Sequence, residues 1–114
     1  MRINEVVKII EGKVICGNAL LDLEVKKGFA SDLMSDVLTL DTDDVLLITG
    51  LANLQAIRTA EMSDISCIVF ARNKQVTEEM KSLAKESNIV LIECAGSVFK
   101  TAGELYAAGI KPVF

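Results

Sequence analysis

The residues of this chain that could contact a ligand are few, and they lie where apolar runs end. The stretch LLITGLANLQAIRTA, residues 46–60, breaks at Thr49 and Gly50 and passes through Asn53 into a helical pattern. A glycine lets the backbone approach a ligand closely, and an asparagine side chain offers two donors and an acceptor. A turn glycine and a helix-capping asparagine would explain the same residues without a ligand, so the sequence leaves both interpretations open.

Polar side chains also follow two other apolar stretches. Arg72 and Asn73 come directly after one of them, and Ser31 and Asp32 come shortly after Gly28. An arginine in this position can contact phosphate, although a loop charge that faces water is the commoner arrangement. Parallel strands bring their carboxyl ends to one edge of a sheet, where helix N-termini also offer N–H groups to an anion. We therefore treat these residues as candidate contacts for a small anionic or nucleotide-like ligand.

Several common chemistries lack the residues that they require. The chain has no histidine, which removes Ser-His and Cys-His nucleophiles and the commonest transition-metal ligand. Neither GxGxxG nor GxxxxGK followed by Ser or Thr occurs. Cys16, Cys67 and Cys94 are far apart in the sequence, which favours buried, reduced thiols. The acids between 41 and 44 lack EF-hand spacing and predict a polar turn. We expect no catalytic residue, no metal and no cofactor.

Composition narrows the class of partner. The net charge of −4 comes without a basic cluster, which argues against binding to nucleic acid. Hydrophobic residues make up 51% of the 114 residues, yet no apolar run approaches the roughly 18 residues that cross a bilayer. The beginning of the chain lacks a signal-like apolar region, so we expect a cytoplasmic protein. The apolar surplus predicts a covered surface, most simply by a second copy in a homodimer.

Three β-α units in succession are predicted from residue 44 onward. Their strands are continuous apolar runs at 44–49, 66–71 and 88–94, and their helices span 52–62, 77–87 and 97–109. Apolar runs of this kind are typical of parallel strands that are covered on both faces. The pattern predicts an α/β fold, a mainly parallel sheet with flanking helices built from successive β-α units, in one domain covering residues 1–114.

The first part of the chain gives a less regular pattern. A helix is predicted from Ile3 to Ile10, with Asn4 as its cap and Gly12 ending it in a left-handed conformation. A short strand at 13–17 and an extended stretch at 23–29 follow. A second helix is then expected over residues 31–38, with Ser31 as its N-cap, and Pro112 lies beyond the last helix.

Three stretches, in this order, resemble a DRTGG domain: LDLEVKKGFASDLMSDVL, DVLLITGLANLQAIRTA and NIVLIECAGSVFKTAGELYAAG. The resemblance is to the small stand-alone versions found near bacterial iron-hydrogenase and redox-sensing genes. It implies a fold similar to the N-terminal domain of HPr kinase/phosphorylase, which lacks a P-loop. It also implies a regulatory, dimerising or ligand-sensing module, because DRTGG domains occur beside CBS domains and have no established catalytic function.

The resemblance assigns candidate roles to individual positions. Gly28, Ser31 and Asp32 match the family's GxxSD-like corner, Asn53 matches an asparagine that often follows the middle strand, and Thr101 matches a late Thr-Ala step. Two family features are absent, so a ligand that those elements bind in the family would be lost or changed in this chain. Residues 71–73 replace a glycine pair, and Leu51-Ala52 stand where a histidine often precedes the asparagine.

The function that these observations favour is a non-catalytic, homodimeric regulatory or ligand-sensing domain. One alternative is a protein-interaction module for a redox or hydrogenase-related partner. The other is a phosphotransferase, in which Asp32 or Asp36 would act as base and Arg72 and Lys74 would hold phosphate.

Overall fold

The three predicted β-α units form the centre of the sheet. The structure is a computed structural model that describes residues 1–114. Its strands are β1 Lys13–Cys16, β2 Lys27–Ala30, β3 Val45–Thr49, β4 Cys67–Phe70, β5 Val90–Glu93 and β6 Lys111–Pro112. Its helices are α1 Ile3–Ile9, α2 Met34–Val37, α3 Leu54–Met62, α4 Glu78–Glu86 and α5 Val98–Ala108. The strands and helices predicted from residue 44 to residue 109 agree with these bounds to within two residues.

The six strands lie in the order β1-β5-β4-β3-β2-β6. Every neighbouring pair is parallel except β1 and β5, which are antiparallel. The predicted fold class, a mainly parallel sheet with flanking helices, is confirmed. Because β2, β3, β4 and β5 all run in the same direction, their carboxyl ends open at one edge of the sheet.

Helices cover both faces of the sheet. Side chains of α2, α3 and α4 pack on one face, where Leu47, Ile68 and Phe70 are buried. Side chains of α1 and α5 pack on the other face, around Ile48 and Val69. This double cover explains why each central strand reads as an unbroken apolar run. The three cysteines are buried, as expected.

The ends of α1 differ from the prediction. Asn4 lies inside the helix, and the N-cap is Arg2, whose N–H donates to the Glu5 side chain at 3.1 Å. Glu11, with a φ of 51°, takes the left-handed conformation that was expected of Gly12. Gly12 is needed for a different reason, since a Cβ there would lie 2.6 Å from Cγ2 of Ile92. A glycine is therefore needed at position 12 because the chain packs closely on β5, a contact that the local sequence does not show.

The segment around β2 also differs from the prediction. The strand begins at Lys27 rather than at residue 23, and it continues to Ala30. Ser31 does not cap a helix. Its Oγ accepts the Leu33 N–H at 3.0 Å, and Leu33 occupies the N-cap position of the short α2. A strand that was not predicted, β6, contains Pro112 and pairs with β2 at the edge of the sheet, where a missing N–H is tolerated.

Candidate functional site

The predicted contact residues occupy separate places at the carboxyl edge of the sheet. Two groups are hydrogen-bonded corners. The first, which we call the Asp32 corner, consists of Asp32, Thr49 and Gly50. The second, which we call the Arg72 corner, consists of Arg72, Asn73, Gly96 and Lys100. Thr101 borders the Arg72 corner. The remaining candidates, Gly28, Ser31 and Asn53, lie outside both corners.

The Asp32 corner is closed by the protein's own carboxylate. Oδ1 of Asp32 accepts the Gly50 N–H at 2.7 Å and the Thr49 hydroxyl at 3.0 Å. Oγ1 of Thr49 accepts in turn the Leu51 N–H at 3.1 Å. The groups that an anion would use at the end of β3 therefore already hold an anion, which the loop after β2 supplies.

Gly50 has an ordinary backbone conformation, since its φ is not positive. A Cβ at this position would lie 3.4 Å from Oδ2 and 3.5 Å from Oδ1 of Asp32. These are ordinary van der Waals distances, so neither the backbone conformation nor the Asp32 carboxylate requires a glycine at this position.

Asn53 is the N-cap of α3. Its Oδ1 accepts the Ala56 N–H at 3.0 Å, and Thr77 caps α4 in the same manner through Met80. The two capped helix ends border an open cleft of about 490 Å³. The capping bond accounts for the Asn53 oxygen without a ligand.

The Arg72 corner joins the ends of β4 and β5. The Arg72 N–H donates to the Gly96 carbonyl at 2.8 Å, and the Asn73 N–H donates to the Cys94 carbonyl at 2.9 Å. Arg72 and Asn73 have φ angles of 61° and 58°. Asparagine tolerates this left-handed region, whereas arginine adopts it at an energetic cost. The backbone therefore holds Arg72 in a strained conformation.

The cations of this corner have no acidic partner. Arg72 and Lys100 are exposed, and neither side chain forms an ion pair or a hydrogen bond within the chain. Both residues contact Gly96: the Arg72 N–H donates to its carbonyl, and Cδ of Lys100 lies 3.5 Å from its Cβ position. A cleft of about 410 Å³ opens at the neighbouring Asn73 and is lined by Asn73 and Glu93, among others.

The Arg72 corner also lies where the chain changes faces of the sheet. The helix that follows β4 packs on one face, and the helix that follows β5 packs on the other. Open α/β sheets bind ligands at such a point, in the crevice outside the carboxyl ends of the strands. At the Asp32 corner, the helices after β2 and β3 pack on the same face.

Comparison with known sequences identifies the family. The sequence model of the DRTGG domain matches residues 5–108. The chain belongs to the DRTGG domain family. A search among curated proteins finds no match.

A solved structure shares the fold of this DRTGG domain. It contains the CBS and DRTGG domains of the regulatory region of Clostridium perfringens pyrophosphatase, complexed with the activator diadenosine tetraphosphate. The TM-score is 0.77 at 12% sequence identity, and the match covers 98% of this chain and 48% of the other. The present chain thus spans about half the length of that relative.

Thr101 shapes the Arg72 corner of this DRTGG domain from beneath. It is buried, its Oγ1 lies 3.4 Å from the Cys94 sulfur, and the same oxygen lies 3.2 Å from the Cβ position of Gly96. Gly28 lies within β2, where a Cβ would lie 3.0 Å from Ile110, and it lines a mostly apolar cavity.

Sequence reasoning missed Lys100 and Gly96. One signal was available, because Lys100 stands in the first turn of α5, where the helix dipole disfavours a cation. The contact between Thr49 and Asp32 had no local signal, since 17 residues separate them.

Other reactive groups of the DRTGG domain are buried or dispersed. Burial raises the pKa of the Cys67 thiol and that of Cys16, which keeps both sulfurs protonated at neutral pH. No cluster of three or more His, Cys, Asp or Glu residues is arranged to hold a metal ion. No helix combines the length and the apolar character that crossing a membrane requires.

Proposed function

We propose that this DRTGG domain is a regulatory module that senses a small phosphate-bearing, nucleotide-like ligand at the Arg72 corner. The observation that carries the proposal is the exposed Arg72 guanidinium, which has no acidic partner and stands on a strained backbone where the chain changes faces. Strained residues persist where the surrounding structure imposes them, and they concentrate at functional sites.

The chemistry of the corner favours a ligand with two parts. The guanidinium of Arg72 and the ammonium of Lys100 suit a phosphate group, since arginine binds phosphate with two parallel hydrogen bonds. The adjoining cleft is lined by the Asn73 amide and the Glu93 carboxylate. The Asn73 amide can accept a hydrogen bond from a base or a ribose, and so can the Glu93 oxygen that does not already accept the Val76 N–H; the Glu93 charge repels a second phosphate.

The structural relative supports the class of ligand. The Clostridium perfringens structure holds domains of the regulatory region of a pyrophosphatase, complexed with a dinucleoside polyphosphate activator. At 12% identity that likeness establishes the fold alone, so the assignment of a nucleotide-like ligand to this chain depends on the Arg72 corner.

The proposed module has no catalytic step of its own. A phosphotransferase would need a free carboxylate base beside Arg72. Oδ1 of Asp32 already accepts two hydrogen bonds, and Oε2 of Glu93, in the adjoining cleft, accepts the Val76 N–H at 2.8 Å. Neither a hydrogen bond nor an ion pair joins Asp32 to Arg72. We further propose that the domain acts as a single cytoplasmic unit in a homodimer.

The experiment is a thermal-unfolding screen against ADP, ATP and diadenosine tetraphosphate, with tripolyphosphate included to separate phosphate from nucleoside recognition. A ligand at a hundred times its dissociation constant adds about 2.7 kcal/mol to the free energy of unfolding. We expect this gain in the wild type and its loss in Arg72→Ala.

The matched control is Arg58→Ala, because Arg58 is also exposed and unpaired but lies on α3. Equal losses in both variants would mean that net charge, and not the corner, binds the ligand. Stability that no nucleotide changes, even in the wild type, would contradict the ligand proposal. That result would favour the alternative function, binding to a redox or hydrogenase-related protein.

A further inference from the structure

The surface of α5 that faces away from the sheet core is apolar. Phe99 is 89% exposed and Tyr106 is 67% exposed, which makes them two of the most exposed large apolar side chains of the molecule. Ala102 and Gly103 lie between them. Residues spaced by three, four and seven positions share one side of a helix, so these four residues form a continuous stripe, which we call the α5 stripe. Ala102 is its half-buried edge, where the stripe borders the sheet core.

Gly103 has no explanation within a single chain. It lies inside α5 with an ordinary φ, and no atom lies within 4 Å of the position where its Cβ would be. Glycine is less favourable than alanine in a helix interior. Gly103 therefore leaves an unfilled position on the outer surface of α5, at the middle of the stripe.

The order of residues along the stripe is self-complementary. An aromatic residue stands at each end, and two small residues stand in the middle. If a second copy of α5 crosses the stripe in the antiparallel direction, Phe99 of each copy meets Tyr106 of the other. The small residues then lie at the crossing point, where they allow close approach of the helices.

The charges beside the stripe are compatible with this arrangement. The four stripe residues are uncharged. Lys100 and Glu104 lie along one flank and have opposite signs, so an antiparallel copy does not set like charges against each other.

The exposed aromatic area supplies part of the surface that a stable dimer buries. The two aromatic side chains expose roughly 300 Å² per copy, against about 800 Å² per partner in a stable interface. The surface continues at Tyr106 into the mostly apolar cavity of about 170 Å³ that α5 forms with β2 and β6. This cavity adds the exposed Pro112 to the area available for burial.

We propose that the α5 stripe is the homodimer interface of this protein, with two copies of α5 crossing antiparallel at Ala102 and Gly103. This inference rests on the homodimer of the proposed function and specifies its surface. It also places the interface on the helix whose first turn carries Lys100 of the Arg72 corner.

The test compares molar masses in solution by light scattering and sedimentation for the wild type, Gly103→Arg and Met62→Arg. Met62 is 71% exposed and lies on α3, so that its substitution adds the same charge elsewhere. We expect twice the 12.3 kDa chain mass for the wild type and Met62→Arg. For Gly103→Arg we expect a dimer dissociation constant raised by roughly 30-fold or more.

Disulfide cross-linking tests whether a second copy of the chain occupies the α5 stripe. Gly103→Cys should form a disulfide-linked dimer under mild oxidation, whereas Ser82→Cys on the exposed side of α4 should not, and the native thiols are buried. A wild-type dimer that Gly103→Arg leaves intact, with no cross-link at position 103, would overturn the interface but keep the proposed homodimer. A wild-type monomer would overturn both and would leave the α5 stripe to a different protein.

Discussion

The Asp32 corner and the Arg72 corner lie at the same edge of one sheet, yet they differ in what holds their charged groups. At the first, the Asp32 carboxylate accepts hydrogen bonds from the Thr49 hydroxyl and the Gly50 N–H. At the second, backbone bonds fix the position of Arg72, and its guanidinium stays unpaired. The first corner uses its charge to join two loops, and the second presents its charge to solvent.

The two corners also differ in topology. The helices after β2 and β3 share one face of the sheet, and Asp32 reaches the end of β3 because it follows β2, which pairs with β3. The helices after β4 and β5 leave on opposite faces. A crevice remains there that neither helix covers, which is why unpaired side chains can persist at the Arg72 corner.

The largest expected effect is on ligand binding. The Arg72→Glu substitution reverses the charge that would bind phosphate, so the stabilisation of about 2.7 kcal/mol expected from a saturating nucleotide should vanish. Asp32→Asn keeps an acceptor oxygen at the other corner and should retain the full stabilisation. Isothermal titration of both variants measures this difference. Loss of binding in Asp32→Asn alone would reverse the roles assigned to the two corners.

The next effect is on folding. Asp32→Ala removes the acceptor of two hydrogen bonds, which should lower the free energy of unfolding by about 1–2 kcal/mol. Asp36→Ala is the matched control, since the Asp36 side chain is exposed and forms no such bond; we expect a change within about 0.5 kcal/mol. Urea denaturation measures both. Equal stability of the two variants would mean that water replaces the Asp32 bonds without cost.

The backbone strain at Arg72 gives a third prediction, of opposite sign. Arg72→Gly should raise the free energy of unfolding by about 1 kcal/mol, because glycine adopts a φ of 61° without the penalty of a side chain. Arg72→Ala keeps the penalty and should show no such gain. Both variants should lose the ligand response. A destabilised glycine variant would indicate that the Arg72 side chain contributes to the fold.

Asn53 provides the smallest effect. Asn53→Ala removes the cap of α3 and should cost about 0.5–1 kcal/mol of folding stability, with the ligand response unchanged. Thr77→Ala removes the equivalent cap of α4 and serves as the comparison. A ligand response that disappears in Asn53→Ala and persists in Thr77→Ala would move the site to the end of β3.

The sheet could be predicted because its main signal is local. Strands buried on both faces must be apolar throughout, and the glycines, caps and polar residues between them mark the helices. The errors occur where tertiary contacts override local preference. Gly12 is required because a Cβ there would clash with Ile92 on β5. Ser31 does not cap a helix, because it lies in a loop whose next residue, Asp32, hydrogen-bonds to the end of β3. The two residues of β6 are too few to give a pattern.

The candidate site was less accessible to sequence reasoning. Gly50 and Asn53 have the residue types of a ligand-binding corner, but a carboxylate 18 positions before Gly50 closes that corner, and only the fold brings it there. Arg72 reads as an ordinary loop charge, since neither its left-handed backbone nor its lack of a partner can be seen in the sequence. Lys100 becomes a candidate contact only because the fold places it against Gly96, which follows β5.

The most direct test of the central claim maps ligand-induced changes in backbone amide chemical shifts by ¹H–¹⁵N correlation spectroscopy during titration with diadenosine tetraphosphate. The two corners carry distinct glycine reporters, Gly50 and Gly96. The account predicts the largest shifts at Arg72, Asn73 and Gly96, with Gly50 nearly unchanged. Large shifts at Gly50 and Leu51, with Gly96 unchanged, would contradict it and would show that the ligand displaces the Asp32 carboxylate.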